Sequence, residues 1–469
     1  MTDAAYSFVP FIVNTTYDDL PAALIAGLKD DVLDTMGNML AGCADPLIEK
    51  LIAVQREIGS SPESSVLLSD VKLSAGDAAF INASMAFCLD YDDMHEPARL
   101  HFGCAAVPAA LAVAEWQGGV SGRDVLTALA VALEIGARLG KYMERRNPTQ
   151  VMGGWDYAGL HGVLTSAVVA GRLMKLNEEQ MHNALGIAFH QCAGTSISAM
   201  DNAHTKILSP GFAARGGILA ARLAKAGVTG AKRIFDGTEI SMAVQYHNGC
   251  DSEALAGGLG TRWDALELGF KAYPCCRLIH RHIDAAMEIA RSCDYDWRTI
   301  REIRITSCPM VEPMASASRV NCEPKARLEA QFSIPWTVAC ALIRKKVAID
   351  EFGAEAFGDP DLSALAWKVH NTVREELRDL DDPAEVTVVT DTGKFTAYTG
   401  KPLGSHENPI SHEALTEKFY DCAAHSVKAF ARSEVQDLAE LIGDLESQPD
   451  EQRLLAALRA LAGGGNAPV

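Results

Sequence analysis

The stretch from Ser121 to Gly140 constrains the fold of this chain more than any other part of the sequence. It opens with Ser-Gly-Arg-Asp, which has the spacing of a capping box, continues as VLTALAVALEIGARL and ends at a glycine. Apolar residues would occupy nearly every face of the helix that this pattern predicts, so the helix needs other helices around it. The stretch therefore predicts an all-helical domain with a deep core.

The rest of the first 265 residues carries the same helical pattern. After Pro21, apolar residues recur at four-residue intervals, which predicts one amphipathic helix: Leu24, Leu28, Val32, Met36 and Leu40. Asn177 and Gln180 have the spacing of a capping box and predict the start of another helix. We assign residues 1–265 to the first part of a helical domain.

The pattern changes at about residue 266. REIRITS (301–307) alternates as a strand does, and EVTVVTDTGKFTAYTG (385–400) predicts a hairpin around Thr392-Gly393. After Pro402 the helical pattern returns, near 411–427, 432–446 and 450–462. We therefore predict a mainly α fold, with a large all-helical domain built from both chain ends (1–265 and 401–469) and a smaller α+β lid domain (266–400).

The charge balance and the cysteines narrow the classes of function. Lys and Arg number 42 against 61 Asp and Glu, a net charge of −19, which argues against nucleic acid or an anionic membrane as the main partner. The N-terminal residues lack the pattern of a secretory signal, and no apolar run approaches the length of a membrane span. We therefore expect a cytoplasmic protein whose 12 scattered cysteines are reduced thiols.

The densest polar cluster is LDYDDMHEPARLH, residues 89–101, ahead of a helix that we expect to start near Pro108. Four ionisable side chains lie within six residues beside apolar flanks: Asp90, Asp92, Asp93 and His95. Because buried charge is costly unless it is paired or used, this density indicates a functional site. The alternative is an exposed acidic helix end, with His101 at the surface.

Three chemistries compete for this cluster. A calcium loop starting at Asp90 would need glycine at its sixth position and glutamate at its twelfth, where the sequence has His95 and His101. The segment from Asp92 to Glu96 imitates the aspartate-rich diphosphate motif of helical isoprenoid synthases, but no second motif of that kind is visible. Metal-free acid–base chemistry remains, because an imidazole titrates near neutral pH (~6.5) and carboxylates can orient it.

A second cluster, FKAYPCCRLIHRHIDAA (270–286), concentrates cationic and imidazole side chains: Lys271, Arg277, His280, Arg281 and His282. Such side chains recognise carboxylates, arginine as a two-pronged donor and lysine as a point charge. A solvated helix start is the alternative. Cys275 and Cys276 have no CxxC partner for a metal, so we interpret them as small apolar residues near the site, with a catalytic thiol as the less favoured hypothesis.

Two further stretches are weaker by themselves. In HTKILSPGFAARGG (204–217), Lys206 precedes a Pro-Gly break that we expect to open a new helix, and a helix N-terminus beside an ammonium group can hold a carboxylate. A lone lysine at such a position is, however, more typical of an exposed surface. GGWDYAGLHG (153–162) joins a glycine-containing loop to a helix of small residues.

Taken together, these four stretches resemble the MmgE/PrpD family, and the resemblance covers nearly the whole chain. The DFDDTH segment of the family and the histidine after it are similar to Asp90 to His95 and His101, and its Thr-Lys before a Pro-Gly helix start is similar to Thr205-Lys206. KxYPCC followed by histidine resembles Lys271 to Cys276 with His280. EAQFSIPWTVACAL (329–342) and GKPLGSHENPISHEALTEKF (400–419) resemble two more family signatures.

The resemblance implies a homodimer with a site in the cleft between a helical domain and a lid, a small di- or tricarboxylate substrate, and no metal or organic cofactor. It implies His101 as the acid–base residue, Asp90 as its orienting or co-acting carboxylate, and Lys206 and Lys271 as carboxylate binders. It also implies a wider substrate-binding set: Asp93, His95, Asp156, His161, Cys276, Arg277 and His280.

This chain departs from the family pattern at several positions. Asp156 replaces the usual histidine after Gly-Trp, Met94 replaces the usual threonine, and Phe102-Gly103 stand where Pro-Ser is common. Either His161 substitutes for the missing imidazole, or the substrate differs from citrate-like acids.

The family includes 2-methylcitrate dehydratases, cis-aconitate decarboxylases and an iminodisuccinate epimerase, so the resemblance implies a lyase or an isomerase. We expect dehydration of a 2-methylcitrate-like hydroxy acid, started by removal of a proton next to a carboxylate. Decarboxylation and epimerisation share that chemistry and stay open. A Mg-dependent isoprenoid synthase is the distant alternative.

Overall fold

The computed structural model describes residues 2–145, 154–377, 383–450, 453–454 and 456–457, and its first half consists mainly of helices. The longer ones are Ala5–Asn14, Ala22–Gly42, Pro46–Ile58, Ala75–Phe87, Gly103–Gln117, Gly122–Tyr142, Gly162–Leu173, Glu178–Phe189 and Thr205–Lys225. Shorter helices lie at Tyr157–Leu160, Ile197–Met200, Met242–Gln245 and Ser252–Ala256, with 3-10 turns at Tyr17–Asp19 and Asp264–Glu267. The predicted mainly α fold is confirmed.

Helix Gly122–Tyr142 is buried almost throughout, as its composition predicts. Ser121 and Asp124 accept hydrogen bonds from each other's backbone N–H groups, so the predicted capping box forms. Every residue from Val125 to Gly140 is buried. Even so, neither this helix nor any other in the described ranges is long and apolar enough to cross a membrane.

Helix Thr205–Lys225 runs through Pro210-Gly211 without the break that the sequence predicted, so Lys206 lies in its first turn. A Cβ atom on Gly211 would lie 2.6 Å from the backbone oxygen of Phe80, closer than side chains allow. The glycine therefore lets this helix pack directly against helix Ala75–Phe87. That contact holds Lys206 near the acidic segment (residues 89–101), which follows helix Ala75–Phe87 in the chain.

Helix Gly103–Gln117 starts five residues before Pro108 and contains it, which corrects the predicted start. The residue before the helix, Phe102, offers no side-chain cap. The carboxylate of Asp93 accepts the N–H groups of Phe102 and Gly103 instead, at 2.9 and 2.8 Å. This remote cap is invisible to a search for a polar residue at the helix start itself.

The second half of the chain builds another apolar core on a four-stranded sheet. The strands lie in the order Val369–Val373, Ile300–Ser307, Ala384–Thr390, Lys394–Thr399; the first pair is parallel and the others are antiparallel. The strand and the hairpin predicted near 301–307 and 385–400 are thereby confirmed. Helices His280–Ser292 and Ile334–Arg344 pack in the same core.

Short elements complete this half. The helices are Glu312–Ala315, Arg319–Cys322, Arg327–Gln331, Ala354–Phe357 and Pro360–Ala366. The 3-10 turns are Arg277–Ile279, Trp297–Thr299, Pro309–Val311 and Ile349–Phe352.

The C-terminal segment packs on the first core. Helices His412–Ala424 and Arg432–Gly443 add Phe419, Leu438 and Ile442 to the apolar cluster of the N-terminal helices, and a 3-10 turn follows at Leu445–Ser447. The third helix predicted in this region, 450–462, lies largely outside the described residues. Of residues 451–462, those at 453–454 and 456–457 are described, and they are helical.

A short ladder joins the acidic segment to the beginning of the second half. Strand Asp93–His95 pairs antiparallel with strand Leu268–Phe270, so that Asp93 lies opposite Phe270. Lys271 follows directly. The ladder therefore brings two of the predicted site segments together across the sequence. A second small ladder pairs Ser64–Ser65 with Lys72–Leu73.

Candidate active site

A cavity of about 80 Å³ lies where the acidic segment, the first turn of helix Thr205–Lys225 and the segment after strand Leu268–Phe270 meet. Its lining includes seven residues selected from the sequence: Asp90, His101, Asp156, Lys206, Lys271, Cys276 and Arg277. The imidazole and the two ammonium groups on which the catalytic hypothesis depends therefore share one cavity.

His101 is held by one ring nitrogen. Its Nδ1 lies 2.9 Å from Oδ2 of Asp92 and 3.0 Å from the backbone oxygen of Asp93. Because both neighbours are acceptors, the proton of the neutral imidazole sits on Nδ1, and the unprotonated Nε2 is left for chemistry in the cavity. The rings of Phe87 and His101 pack in a T-shaped arrangement, with their centroids 5.5 Å apart.

The orienting contact to His101 comes from Asp92, not from Asp90 as the resemblance implied. Asp92 also accepts a hydrogen bond from Lys271 at 3.1 Å. Burial by itself would raise the pKa of Asp92, but Lys271 and His101 hold that pKa well below its usual value. Asp92 is therefore an ionised carboxylate behind the imidazole, where it stabilises the protonated ring.

Asp90 binds both lysines instead. Its Oδ1 lies 2.7 Å from Nζ of Lys271 and 3.0 Å from Nζ of Lys206. Burial alone would raise the pKa of Asp90, yet the two ammonium groups hold it well below its usual value. The Asp90 backbone has a φ of 52°, in the left-handed region, and in this conformation its backbone oxygen also accepts from Lys271 at 3.0 Å.

Lys271 and Lys206 differ in what they can offer a substrate. Lys271 is fully buried, and its three N–H groups face Oδ1 of Asp90, the backbone oxygen of Asp90 and Oδ1 of Asp92, at 2.7, 3.0 and 3.1 Å. Lys206 is 8 % exposed; besides Asp90, its Nζ has the rings of Phe87 and Phe332 at 4.2 and 5.6 Å as described contacts. Lys206 is thus the ammonium group with a donor to spare for a substrate carboxylate.

Two family models match this chain, and together they span most of it. The MmgE/PrpD N-terminal domain matches residues 7–251, and the MmgE/PrpD C-terminal domain matches residues 273–443. The chain belongs to the MmgE/PrpD family. Similar proteins include the cis-aconitate decarboxylases of Aspergillus terreus (26% identical, covering 95% of this chain and 94% of that protein), Homo sapiens (27%, 97% and 94%) and Mus musculus (25%, 95% and 91%).

Asp156 lines the cavity, at the position where the resemblance led us to expect a histidine. Its Oδ1 accepts hydrogen bonds from the N–H groups of Ala158 and Gly159, at 3.1 and 3.4 Å. Asp156 therefore caps helix Tyr157–Leu160. The departure from the family pattern places a carboxylate in the cavity and gives it a local structural role.

His161 does not line the cavity and so does not replace the missing imidazole there. Its side chain is fully buried and stacks on Tyr157 and His247, with ring centroids 5.0 and 5.7 Å apart. Burial, with a smaller contribution from His247, lowers the pKa of His161 well below its usual value. His161 is therefore a neutral, packed side chain at physiological pH.

Three other members of the predicted substrate-binding set, Asp93, His95 and His280, do not line the cavity. Asp93 caps helix Gly103–Gln117. The ring nitrogens of His95 face the backbone oxygen of Asp264 at 2.8 Å and the backbone nitrogen of Ala98 at 3.2 Å. Those of His280 face Nη1 of Arg277 at 3.1 Å and the backbone oxygen of Cys275 at 3.2 Å. These side chains hold the segments around the site.

Cys276 and Arg277 do line the cavity. Burial raises the pKa of the Cys276 thiol to about 11, so the thiol stays neutral and presents a small apolar surface. Arg277 donates from Nε to Glu96 and from Nη1 to the backbone oxygen of Leu403, at 2.8 Å each. Across the part of the chain that the structure describes, no group of three or more His, Cys, Asp or Glu could hold a metal ion.

The sequence placed Asp92 in the acidic cluster but did not predict its role as the partner of His101. It also did not predict most of the apolar wall of the cavity, which includes Phe87, Met94, Leu278, Met310 and Phe332. Arg99, Ser196 and Ser198 add polar groups that it also missed. Phe332 belongs to the EAQFSIPW signature and could have been selected on that ground. The segments around Met310 and Ser198 carry no comparable signal.

Proposed function

We propose that this protein is a lyase that acts on a small di- or tricarboxylate with its own side chains as the acid, the base and the carboxylate binder. One observation carries the proposal. The imidazole of His101, held through Nδ1 by an ionised carboxylate, shares a cavity with the ammonium group of Lys206. An acid–base group beside a cation is what proton transfer next to a carboxylate requires.

Decarboxylation is the reaction that we place first, because the similar proteins carry the name cis-aconitate decarboxylase. In this reaction Lys206 binds one substrate carboxylate. The bond between the carbon skeleton and a second carboxylate breaks, CO2 leaves, and the electron pair stays on the skeleton. His101, which takes up a proton from water at Nε2 to become the imidazolium, then delivers that proton to carbon, and Asp92 stabilises the imidazolium before the transfer.

The apolar wall supports this choice. The rings of Phe87 and Phe332 lie beside Lys206, and Met94 stands where the family pattern has a threonine. Loss of CO2 spreads the negative charge of a carboxylate over the carbon skeleton, so surroundings without water favour the transition state over the ground state. A wall that solvates the carboxylate poorly therefore suits decarboxylation.

Dehydration of a 2-methylcitrate-like hydroxy acid is the second candidate. The observation in its favour is that acceptors hold Nδ1 of His101, which leaves Nε2 as the atom for a base, with the Lys206 ammonium in the same cavity as an acid for the leaving hydroxyl. Reprotonation of the same intermediate on its other face would be epimerisation.

A substrate panel read by NMR, with and without chelator, tests the proposal. The panel contains cis-aconitate, 2-methylcitrate, citrate and an amino dicarboxylate, and its products separate the three reactions. We expect turnover that chelator does not change. Activity that disappears with chelator and returns with added metal would contradict the proposal and favour a metal-dependent enzyme such as an isoprenoid synthase.

Two variants with matched controls assign the roles. His101→Gln should lower kcat by about 10²- to 10⁴-fold, and Lys206→Met should mainly raise KM. The exposed His190→Gln and Lys50→Met are the controls and should behave as the wild-type protein. Equal activity of His101→Gln and His190→Gln would remove His101 from the mechanism.

We also propose that the protein works as a cytoplasmic homodimer. Support comes from the family resemblance and from large apolar side chains that stay exposed near helix Thr205–Lys225: Met200 (70 %), Phe212 (54 %) and Leu219 (48 %). Light scattering after size exclusion tests this, and a monomer would contradict it.

A further inference from the structure

Behind the cavity, helix Ala22–Gly42 presents buried carboxylates to the segment that holds His101. Asp31 and Asp34 lie on this helix and are 0 and 2 % exposed. With the acidic segment they make a buried group of five carboxylates: Asp31, Asp34, Asp90, Asp92 and Asp93. So much negative charge away from water needs compensation.

Four of these five carboxylates have a positively charged or N–H partner that compensates their charge. Asp34 lies 2.6 Å from Nζ of Lys418, Asp90 and Asp92 bind Lys271, and Asp93 accepts two backbone N–H groups. Asp31 is different, because neither of its carboxylate oxygens has a hydrogen-bond partner among the described residues. An ionised carboxylate in that position would pay the full penalty of burial.

Asp31 and Asp93 meet at one point, beside Gly103. A Cβ atom on Gly103 would lie 2.4 Å from Oδ1 of Asp31, 2.4 Å from Oγ1 of Thr35 and 3.0 Å from Oδ1 of Asp93. The absence of a side chain at position 103 therefore leaves two carboxylates facing the same small space. These distances place the two Oδ1 atoms at most about 5.4 Å apart, and two carboxylates at that range and away from solvent do not readily both ionise.

We propose that Asp31 and Asp93 share one proton, and that Asp31 is a positioning residue for His101. The protonated carboxyl group of Asp31 donates a hydrogen bond to the carboxylate of Asp93. Asp93 holds His101 from two directions, since its backbone oxygen accepts from Nδ1 at 3.0 Å and its carboxylate accepts from the N–H groups of Phe102 and Gly103, which follow His101 in the chain. The shared proton keeps Asp93 in this position.

The electrostatics of the region agree with a proton on Asp31. Burial and the neighbouring Asp93 raise the pKa of Asp31 well above its usual value, whereas burial and Asp92 raise the pKa of Asp93 to about 7. The other charged groups that act on the pair are Asp30 and Asp34, on the same helix as Asp31, and Asp92 and His101 in the acidic segment. Lys271, after strand Leu268–Phe270, and Lys418, on helix His412–Ala424, act on Asp92 and Asp34. The two ammonium groups among them pair with other carboxylates.

Two substitutions of Asp31 test whether its side chain acts as a neutral hydrogen-bond donor to Asp93. Asp31→Asn keeps a neutral donor of the same shape, and Asp31→Ala removes the donor. Asp30→Asn is the matched control, because it removes the neighbouring carboxylate on the same helix, which pairs with His412 at 2.7 Å. We expect Asp31→Ala to lower kcat by about 10- to 100-fold at nearly unchanged KM, and Asp31→Asn to restore kcat to within about 3-fold of wild type. Equal losses in the two variants would overturn the proposal.

A second measurement depends neither on activity nor on the alanine variant. Infrared spectroscopy at about pH 8 should show the band of a buried protonated carboxyl group, which Asp31→Asn removes and Asp30→Asn keeps. Absence of the band from the wild-type protein would overturn the proposal. The positioning role rests on the proposed function, so a band that behaves as expected in a protein without lyase activity would contradict the proposed function and leave the shared proton established.

Discussion

Replacing Lys271 by methionine should cost stability before it costs substrate binding. The substitution removes an ammonium group that contacts Oδ1 of Asp90, the backbone oxygen of Asp90 and Oδ1 of Asp92 at 2.7, 3.0 and 3.1 Å. Removal of one partner of a buried ion pair costs about 3–5 kcal/mol. Asp90 keeps Lys206 at 3.0 Å, so we expect a loss near the lower end, about 3 kcal/mol.

Urea unfolding followed by tryptophan fluorescence at neutral pH measures this loss. Lys206→Met is the matched variant, and it should lose only about 1 kcal/mol because Asp90 keeps Lys271. The loss in Lys271→Met should depend on pH. Lys206 and Lys271 hold the pKa of Asp90 below its usual value, so the stability that the pair contributes is present above pH ~4 and is lost as pH falls further.

The difference in free energy of unfolding between Lys271→Met and the wild type should therefore be largest at neutral pH and become smaller below pH ~4. If Lys271→Met unfolds at the same urea midpoint as the wild type and its KM is raised, the reasoning is refuted. Lys271 would then be a free ligand for the substrate, with Lys206 as the structural lysine.

Three further substitutions test other contacts. Asp92→Asn keeps an acceptor but removes the charge behind His101, so kcat should fall about 100-fold or more in steady-state assays; an unchanged kcat would remove Asp92 from the mechanism. Gly103→Ala brings a Cβ atom to 2.4 Å from oxygens of Asp31 and Thr35, so the free energy of unfolding should fall by about 1–3 kcal/mol in urea titrations, and unchanged stability would disprove the crowding. Because burial lowers the pKa of His161, the native protein loses stability as pH falls below ~6.5. The free energy of unfolding of His161→Phe, relative to wild type, should therefore rise by about 2 kcal/mol from pH 7 to pH 5. Urea titrations in which the two proteins show the same pH dependence would contradict this.

Much of the helical architecture could be predicted because its signals are local. The capping boxes at Ser121 and Asn177 form as their spacing predicts. Both errors at helix boundaries arose at prolines. Pro108 and Pro210 each lie inside a helix. The helix that contains Pro108 is capped by the carboxylate of Asp93, ten residues before the helix starts. The helix that contains Pro210 packs tightly against its neighbour at Gly211. Tertiary contacts overrode the local preference of proline in both places.

The candidate site was predicted in its chemistry more than in its contacts. His101, Lys206 and Lys271 were selected from motifs and share the cavity. The partner of His101 could not be told from the sequence, because Asp90 and Asp92 are equally acidic and only two residues apart. The left-handed turn at Asp90 and the pairing of strand Asp93–His95 decide which carboxylate faces the imidazole.

By itself, the sequence determined the helical class of the fold and the side chains able to transfer a proton or bind a carboxylate, since residue spacing and residue type record both. Only the tertiary structure decided that Asp92 orients His101 and that Lys271 donates its hydrogen bonds to carboxylates. It also decided that His161 stacks on Tyr157 away from the cavity and that Asp31 lies next to Gly103. Those contacts join segments far apart in the chain. Their approach is set by how closely helices and strands pack, and no local pattern records that distance.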